Sequence, residues 1–313
     1  MSLNSPLHAA VFRGSIYWVV HLLSVGSNPN CRIDGFTPLH VAAVHGHTKI
    51  AQILLDNGAS IDLVYYCGGT SLSLAVMKGN TLTAKLLISR KANLDITCSR
   101  GWTPLNMAVS QANINMVDVL LDAGANVDIC TLNGSSPLFN ATDACTTEIA
   151  KRLIDSGANV NLTTTLGETA TLAAARKGSV DILHYLIAAK ADLNQGTLSG
   201  CNPLMRAASN NHYDCVVQLI QAGADIYMKR SNGQIAYDIA ITKGHTGIAK
   251  ELRWWRYRGL LLMKTKTNNK KSHHDNDNDN DNDNKISKLV YLLTNTKENE
   301  EYYFMMREIA KFL

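Results

Sequence analysis

The chain has 313 residues, of which 46% are apolar and 18% are charged, and this composition can bury a large core in one or two domains. The formal net charge of +4 is too small to call for nucleic acid or an anionic membrane as a partner. Seven cysteines without a C-x-x-C pair argue against a disulfide framework and favour a reducing compartment, the cytoplasm or the nucleus. The first residues lack a signal-peptide pattern, and no run approaches the roughly 18 apolar residues that cross a bilayer. We therefore expect a chain that is neither secreted nor membrane-spanning.

A motif built on Thr-Pro-Leu recurs along the first 255 residues. Its eight copies are "SPLHAAVFRG", "TPLHVAAVHG", "TSLSLAVMKG", "TPLNMAVSQA", "SPLFNATDAC", "TATLAAARKG", "NPLMRAASNN" and "IAYDIAITKG". The glycines that precede the later copies lie 33 residues apart at every step, at Gly35, Gly68, Gly101, Gly134, Gly167, Gly200 and Gly233. A fixed period of this kind is typical of repeat proteins.

A second marker keeps the same phase in segments such as "AGANVD" and "AKADLN", where a residue suited to a helix end precedes Ala and then Asn or Asp. Between the two markers the pattern predicts two short helices, the second apolar at spacings such as Ile50, Ile53 and Leu54. The proline of the motif stands where the first turn of a helix tolerates it. One repeat has apolar groups on more than one side, so the repeats must stack into a solenoid with a continuous core.

The segment "GFTPLHVAAVHGHTKIAQILLDNGASIDL" resembles an ankyrin repeat, and the resemblance covers residues 1 to about 255. It implies an all-α solenoid of about eight helix-turn-helix units with β-hairpin-like loops. It also implies a monomeric scaffold or adaptor that binds another protein on its concave surface. The expected repeats lie near 1–33, 34–66, 67–99, 100–132, 133–165, 166–198, 199–231 and 232–255.

The glycine that ends the first helix of a repeat is replaced by Ala112 in the fourth repeat and by Cys145 in the fifth. If these positions need a positive φ, their side chains impose strain. Asn211, in the seventh repeat, tolerates that conformation better.

No phosphate-binding loop, dinucleotide-binding turn, serine-hydrolase elbow or zinc-protease motif occurs, so we expect no enzyme, no catalytic residue and no cofactor. His45 and His47 bracket the turn between two helices and lack a third ligand, so we expect no metal site. The resemblance implies that His40 in "TPLH" holds its turn through hydrogen bonds.

The resemblance also implies where a partner would touch each repeat: the two residues before the turn glycine, the one after it, and the two that close the first helix. In the second to fourth repeats this region is unusually aromatic, whereas from Leu132 onward the corresponding residues are smaller or more polar. Trp, Tyr and Arg are the usual anchors of protein interfaces. The sequence therefore predicts a binding patch on repeats 2–4, formed by Phe36, Tyr65, Tyr66, Met77, Arg100 and Trp102. The alternative is that these aromatic residues only pack on neighbouring hairpins.

One modification is a further hypothesis. The segment "LIAAKADLN" resembles the context in which asparaginyl hydroxylases modify ankyrin repeats, with Asn194 as the acceptor. The alternative is that Asn194 bridges its loop by hydrogen bonds.

The composition changes after the last repeat. Residues 253–271 are rich in Lys and Arg, and we expect Trp254, Leu260 and Leu261 to cap the core while Arg253, Arg256 and Arg258 stay solvated. The alternative is a surface for anionic lipid, RNA or an import receptor, although we expect neither nucleic acid nor membrane as the main partner. Residues 256–285 form a basic and then Asp/Asn-rich linker.

Residues 286–313 predict an amphipathic helix, with apolar side chains at spacings such as Tyr302, Met305 and Ile309. It would dock on this chain's own solenoid or in the groove of a partner. The segment "REIAKFL" distantly resembles the final helix of F-box-like or related tails that recruit ubiquitin ligases. A second hypothesis is therefore the substrate-recognition subunit of a ubiquitin ligase, which recruits its adaptor through this tail.

Overall fold

A computed structural model describes residues 5–271 of the chain, and the side chains of residues 5–258. This part contains sixteen α-helices in eight consecutive pairs and one isolated antiparallel bridge, between Ile33 and Phe36. The first helices of the pairs are α1 (Pro6–Phe12), α3 (Pro38–His45), α5 (Ser71–Met77), α7 (Pro104–Ser110), α9 (Pro137–Asp143), α11 (Ala170–Lys177), α13 (Pro203–Ser209) and α15 (Ala236–Thr242). The second helices are α2 (Ile16–Ser24), α4 (Thr48–Asp56), α6 (Thr81–Ser89), α8 (Ile114–Asp122), α10 (Thr147–Asp155), α12 (Val180–Ala188), α14 (Tyr213–Gln221) and α16 (Thr246–Lys271).

The Thr-Pro-Leu motif starts most of the first helices because its first residue caps the helix. Thr37 Oγ1 accepts a hydrogen bond from the His40 amide at 3.3 Å, and Thr103 Oγ1 accepts one from the Asn106 amide at 3.1 Å. The proline that follows has no amide hydrogen, and none is needed in the first turn.

The first helices end in a left-handed residue, as the sequence predicts. Gly46 and Gly178 have φ values of 69° and 72°, which glycine adopts without a Cβ penalty. Ala112, Cys145 and Asn211 adopt φ values of 52°, 57° and 61° at the corresponding positions. The strain expected at Ala112 and Cys145 is therefore present in the fold.

The helices stack into two layers, which confirms the all-α solenoid. Each first helix contacts the first helix of the next repeat, from α1 through α15, and packs against the second helix of its own pair. The leucine of the motif lies in the shared core and is at most 1% exposed in Leu7, Leu39, Leu72, Leu105, Leu138 and Leu204. Because every repeat supplies equivalent residues, the core is a continuous strip along the array.

Between the pairs, the turn glycines close short hairpins. In the third hairpin the Cys98 amide donates to the Trp102 carbonyl at 3.0 Å, and the Gly101 amide donates to the Cys98 carbonyl at 2.8 Å. A main-chain bond then joins successive hairpins, as from the Ser99 amide to the Cys67 carbonyl at 2.7 Å. The same bond recurs from Leu132 to Arg100, from Thr165 to Asn133, from Leu198 to Leu166 and from Ser231 to Ser199.

The first two hairpins are joined differently. Within the described residues they do not share this main-chain bond; instead Arg32 Nη1 donates to the Val64 carbonyl at 2.8 Å. Asp34 and Gly35 form the tip of the first hairpin with φ values of 48° and 79°, the two positive angles of a tight hairpin turn. At this junction the two hairpins are therefore joined through side chains rather than through a main-chain hydrogen bond.

The last helix covers the end of the core. Ile248, Ala249 and Leu252 of α16 are buried, and Trp255 packs partly against them. Trp254 is half-buried, as is Arg258, whose guanidinium lies 5.4 Å from the centroid of the Trp254 ring.

Other features of this end were not anticipated. Arg256 and Arg258, which we expected to be solvated, are both half-buried, because their guanidinium groups lie over aromatic rings. That of Arg256 lies 5.2 Å from the Tyr237 ring centroid. Helix α16 continues to Lys271, past residue 255, where the sequence places the end of the array. The predicted segment 286–313, the Asp/Asn-rich part of the linker and the side chains of the predicted cap residues Leu260 and Leu261 lie outside the described residues. No helix in the part that the structure describes combines the length and the hydropathy that a bilayer span requires.

Candidate protein-binding surface

A groove opens between the first helices and the hairpins of the first three repeats. Its volume is about 330 Å³. The side chains that line it are His8, Phe12, Ile33, Phe36, Val41, Val44, His45, Tyr65, Tyr66, Cys67, Leu74, Met77 and Lys78. Four of the six residues predicted for the binding patch therefore meet here: Phe36, Tyr65, Tyr66 and Met77.

Aromatic rings form one wall of the groove. Phe36 and Tyr65 stack with centroids 5.0 Å apart and an interplanar angle of 18°, and Tyr66 meets Phe36 edge to face at 5.8 Å. Partial burial raises the pKa of the Tyr65 phenol, so this side chain stays neutral. The Tyr66 ring meets both rings of the stack edge to face, and its side chain is nevertheless 75% exposed. The stack stands at the hairpin junction that lacks the main-chain bond, and it supplies part of the contact there.

His40 lies behind this wall and fixes the position of Phe36 and Tyr65. The Thr37 amide donates to Nδ1 at 3.0 Å, and Nε2 lies 2.8 Å from the Leu63 carbonyl, so we assign the ring hydrogen to Nε2. Burial, helped by the nearby charge of Arg32, lowers the pKa of His40 to about 4, although the hydrogen bond to the Leu63 carbonyl raises it in part. His40 is therefore a neutral structural group at pH 7, and its hydrogen bonds hold the turn as the resemblance implied.

His8 occupies the position of His40 one repeat earlier but bonds to a different carbonyl. Its Nε2 lies 2.9 Å from the Phe36 carbonyl, and its side chain is buried. Burial lowers the pKa of His8 below its usual value. In the fourth repeat, Asn106 takes the position of His40 and makes the equivalent hydrogen bond, from Nδ2 to the Ile129 carbonyl at 2.9 Å.

A row of apolar side chains forms the opposite wall. Phe12, Val44 and Met77 occupy the same position in the first three repeats, two residues before the glycine that ends the first helix. Phe12 is 46% exposed and Met77 41%. Sequence reasoning missed Phe12 because it restricted the patch to repeats 2–4, although the alignment of Phe12 with Met77 carries the signal.

Arg100 and Trp102 do not belong to the groove. Trp102 is half-buried on the third hairpin, and among the described residues it takes part in no ring pair. Arg100 is exposed, and its carbonyl accepts the bond from the next hairpin. The structure therefore brings together the predicted residues of the second and third repeats and leaves those of the fourth repeat to one side.

Later hairpins also present apolar side chains, which the sequence interpretation understated. Leu132, Leu166 and Leu198 are 75%, 66% and 82% exposed at the hairpin tips. They stand on three successive hairpins that are tied together by main-chain bonds.

Ion pairs cross the first helices of the fifth to seventh repeats. Arg176 Nη2 lies 2.6 Å from Asp143 Oδ1, and Lys177 Nζ lies 3.6 Å from the same oxygen. Arg206 Nη2 lies 3.5 Å from Glu168 Oε1. The cations at the ends of these first helices are therefore paired within the protein.

Asn194 takes part in a ladder on the loops that follow the second helices. Its Oδ1 accepts the Asp225 amide at 2.8 Å, and its own amide donates to Asp192 Oδ1 at 2.8 Å. The equivalent Asn161 accepts the Asp192 amide in the same way. These bonds give Asn194 a structural role, and its modification stays a hypothesis.

The chain matches known proteins through its repeats. A family model described as "Ankyrin repeats (3 copies)" matches residues 2–65, 62–133, 138–230 and 172–253. Among curated proteins, 72 residues are 39% identical to the glycerophosphocholine phosphodiesterase gde1 of Schizosaccharomyces pombe, covering 22% of this chain and 6% of that protein. Ankyrin repeat and SOCS box protein 3 of Homo sapiens is 40% identical over 58 residues, 17% of this chain and 11% of its own length.

A third relative is ankyrin repeat and SOCS box protein 2 of Mus musculus, 42% identical over 59 residues, 19% of this chain and 9% of its own length. The chain thus spans a small fraction of the curated relatives that it matches.

Proposed function

Because this chain belongs to the ankyrin repeat family, we propose that it is a non-catalytic interaction scaffold or adaptor that binds a protein partner with the groove of the first three repeats. In this proposal the chain acts as a monomer in the cytoplasm or nucleus, where its seven cysteines stay free thiols.

The exposure of the groove's apolar residues carries the proposal. Tyr66 is 75% exposed and Met77 41%, on either side of the same concavity. A purely structural aromatic would be buried on the next hairpin, as Phe36 and Tyr65 partly are. Exposed apolar side chains grouped around a concavity are typical of interaction sites.

The test compares two hairpin tips. Tyr66 and Leu198 occupy the same hairpin position four repeats apart, and both are highly exposed. Cross-linking of the full chain in its native cell, followed by mass spectrometry, identifies a partner whose affinity for purified variants is then measured. Tyr66→Ala should lower that affinity roughly thirtyfold, about 2 kcal/mol for an interface anchor, while Leu198→Ala leaves it within a factor of two or so.

Thermal melting distinguishes this proposal from the alternative that the aromatic side chains only pack on neighbouring hairpins. We expect Tyr66→Ala to melt within a degree or two of the wild type, because an exposed side chain contributes little to stability. A lowered melting temperature together with unchanged partner affinity would assign these rings to hairpin packing and remove the proposal. Trp102→Ala, measured beside them, tests whether the patch reaches the fourth repeat.

A second candidate is the substrate-recognition subunit of a ubiquitin ligase. The names of two relatives pair ankyrin repeats with a SOCS box, the combination of array and appended box that this candidate requires. Deleting residues 285–313 discriminates between the two. Loss of a ligase adaptor with retention of the groove partner supports the second candidate, and an unchanged set of partners contradicts it.

A further inference from the structure

We infer that the groove of the first three repeats selects an acidic segment of its partner, with an aliphatic or aromatic side chain inserted between Phe12 and Tyr66. This inference rests on the proposed function and names the chemistry of the partner.

The cavity sets the apolar part of the ligand. Its volume of about 330 Å³ lies at the lower end of the range of about 300–1,000 Å³ that is usual for small ligand sites, so it has room for one or two side chains. Phe12, Val44 and Met77 on one side and the Phe36–Tyr65 stack on the other give it apolar walls. The faces of Phe36 and Tyr65 already contact each other, which favours an inserted side chain over a stacked base.

Lys78 lines this cavity, and two further exposed cations stand outside it, at the end of the first helix of repeat 1 and on the third hairpin. Arg13 and Lys78 occupy the position just before the glycine that ends the first helix, and Arg100 stands at the third hairpin. All three are exposed, and within the described residues none of them forms an ion pair. The one carboxylate at the contact positions of these repeats is Asp34, at the tip of the first hairpin.

The other half of the array provides the contrast. Lys177 occupies the same repeat position as Lys78, three repeats further on, and lies 3.6 Å from Asp143. Arg176 and Arg206 are paired with Asp143 and Glu168. Arg13, Lys78 and Arg100 therefore have their charge available for a partner, whereas Arg176, Lys177 and Arg206 are matched internally.

The histidines of the groove add no positive charge to it at neutral pH. Burial lowers the pKa of His8 and of His40, and partial burial together with the charges of His47 and Lys78 lowers the pKa of His45. The groove therefore has neutral imidazoles inside and a lysine at its edge. An acidic segment gains attraction from the edge without meeting a carboxylate in the apolar interior.

The experiment selects random dodecapeptides on the immobilised full chain and counterselects on Tyr66→Ala. We expect the enriched pool to combine several Asp or Glu residues with a central Leu, Phe or Trp. A synthetic peptide of the enriched sequence should bind roughly tenfold more weakly to Lys78→Gln than to the wild type, and more weakly as the salt concentration rises. Lys177→Gln is the matched control and should bind as the wild type does.

The outcomes separate this inference from the proposed function. Groove-dependent peptides that are neutral or basic, or equal effects of Lys78→Gln and Lys177→Gln, would overturn the acidic ligand and leave the protein-binding groove standing. Peptides whose binding does not depend on Tyr66, or the absence of any enrichment, would contradict both. Binding of single-stranded poly(U) RNA that depends on Lys78 and exceeds peptide binding would also overturn the inference.

Discussion

At the residue scale, Thr171 occupies the core position that leucine fills in the neighbouring repeats, at Leu138 and Leu204. Its side chain is fully buried, and its Oγ1 has no hydrogen-bond partner among the described residues. Thr142, equally buried, donates from Oγ1 to the Leu138 carbonyl at 2.9 Å. A buried hydroxyl without a hydrogen-bond partner destabilises the folded state, whereas a hydrogen-bonded hydroxyl stabilises it.

Replacing these two hydroxyls should therefore act in opposite directions. Thr171→Val keeps the shape of the side chain, removes the unpaired group and should raise the free energy of unfolding by about 1 kcal/mol. Thr142→Val removes a hydrogen bond and should lower it by a similar amount. Urea denaturation of both variants measures their free energies of unfolding. A destabilised Thr171→Val would contradict the claim that the unpaired Thr171 hydroxyl destabilises the fold.

His40 makes stability depend on pH. Its pKa is about 4 in the folded chain against the usual 6.5, so the unfolded state binds the proton more readily as pH falls. The stability that neutral His40 provides is fully present above pH 6.5 or so and is lost progressively as pH falls towards 4.

The variant His40→Asn isolates this contribution, because Asn106 makes the equivalent bonds in the fourth repeat. Between pH 7 and about pH 4.5, the wild type should lose about 2 kcal/mol more stability than the variant. Chemical denaturation at the two pH values gives the difference. Parallel losses in both proteins would show that His40 does not titrate as its burial implies.

At the element scale, the close approach of successive hairpins explains why glycine recurs at their tips. A Cβ on Gly134 would lie 2.9 Å from the Thr165 amide nitrogen, whereas a Cβ on Gly233 would meet nothing within 4 Å. Both residues have a positive φ, 76° and 82°. The backbone strain of an alanine is therefore common to the two sites, and only Gly134 adds a clash with main-chain atoms.

This pair yields a quantitative expectation. Gly233→Ala should cost about 1 kcal/mol from the left-handed backbone alone, and Gly134→Ala should cost at least about 1 kcal/mol more because the next hairpin must move. Thermal unfolding of both variants provides the comparison. Equal costs would mean that the hairpins are free to separate.

Much of each element could be predicted from the sequence because it depends on local chemistry. The capping hydroxyl of Thr37, the proline after it and the left-handed glycine at position 46 define α3 within one stretch of chain. The missing main-chain bond between the first two hairpins could not be predicted, because it depends on how Phe36, Tyr65 and Arg32 meet across two repeats.

The candidate site was predictable in part for the same reason. Repeat phase places Phe36, Tyr66 and Met77 on one face, and they line one groove. Trp102 occupies the same hairpin position as Phe36 but does not line the groove, a difference that the repeat pattern does not encode.

At the scale of the whole molecule, the two halves of the hairpin face differ. The first three repeats have an apolar groove and unpaired cations, whereas the fifth to seventh have ion pairs across their first helices and isolated leucines at their tips. In a repeat array each unit contacts only its neighbours, so one half can bind a partner while the other keeps its structure. The proposed binding site therefore lies in the first half of the array.

Hydrogen–deuterium exchange of the full chain, with and without its cross-linked partner, tests this claim most directly. We expect protection to rise in the first two hairpins and at the C-terminal ends of α1, α3 and α5, with no change across residues 132–201. Protection confined to residues 132–201, or equal along the whole array, would contradict it.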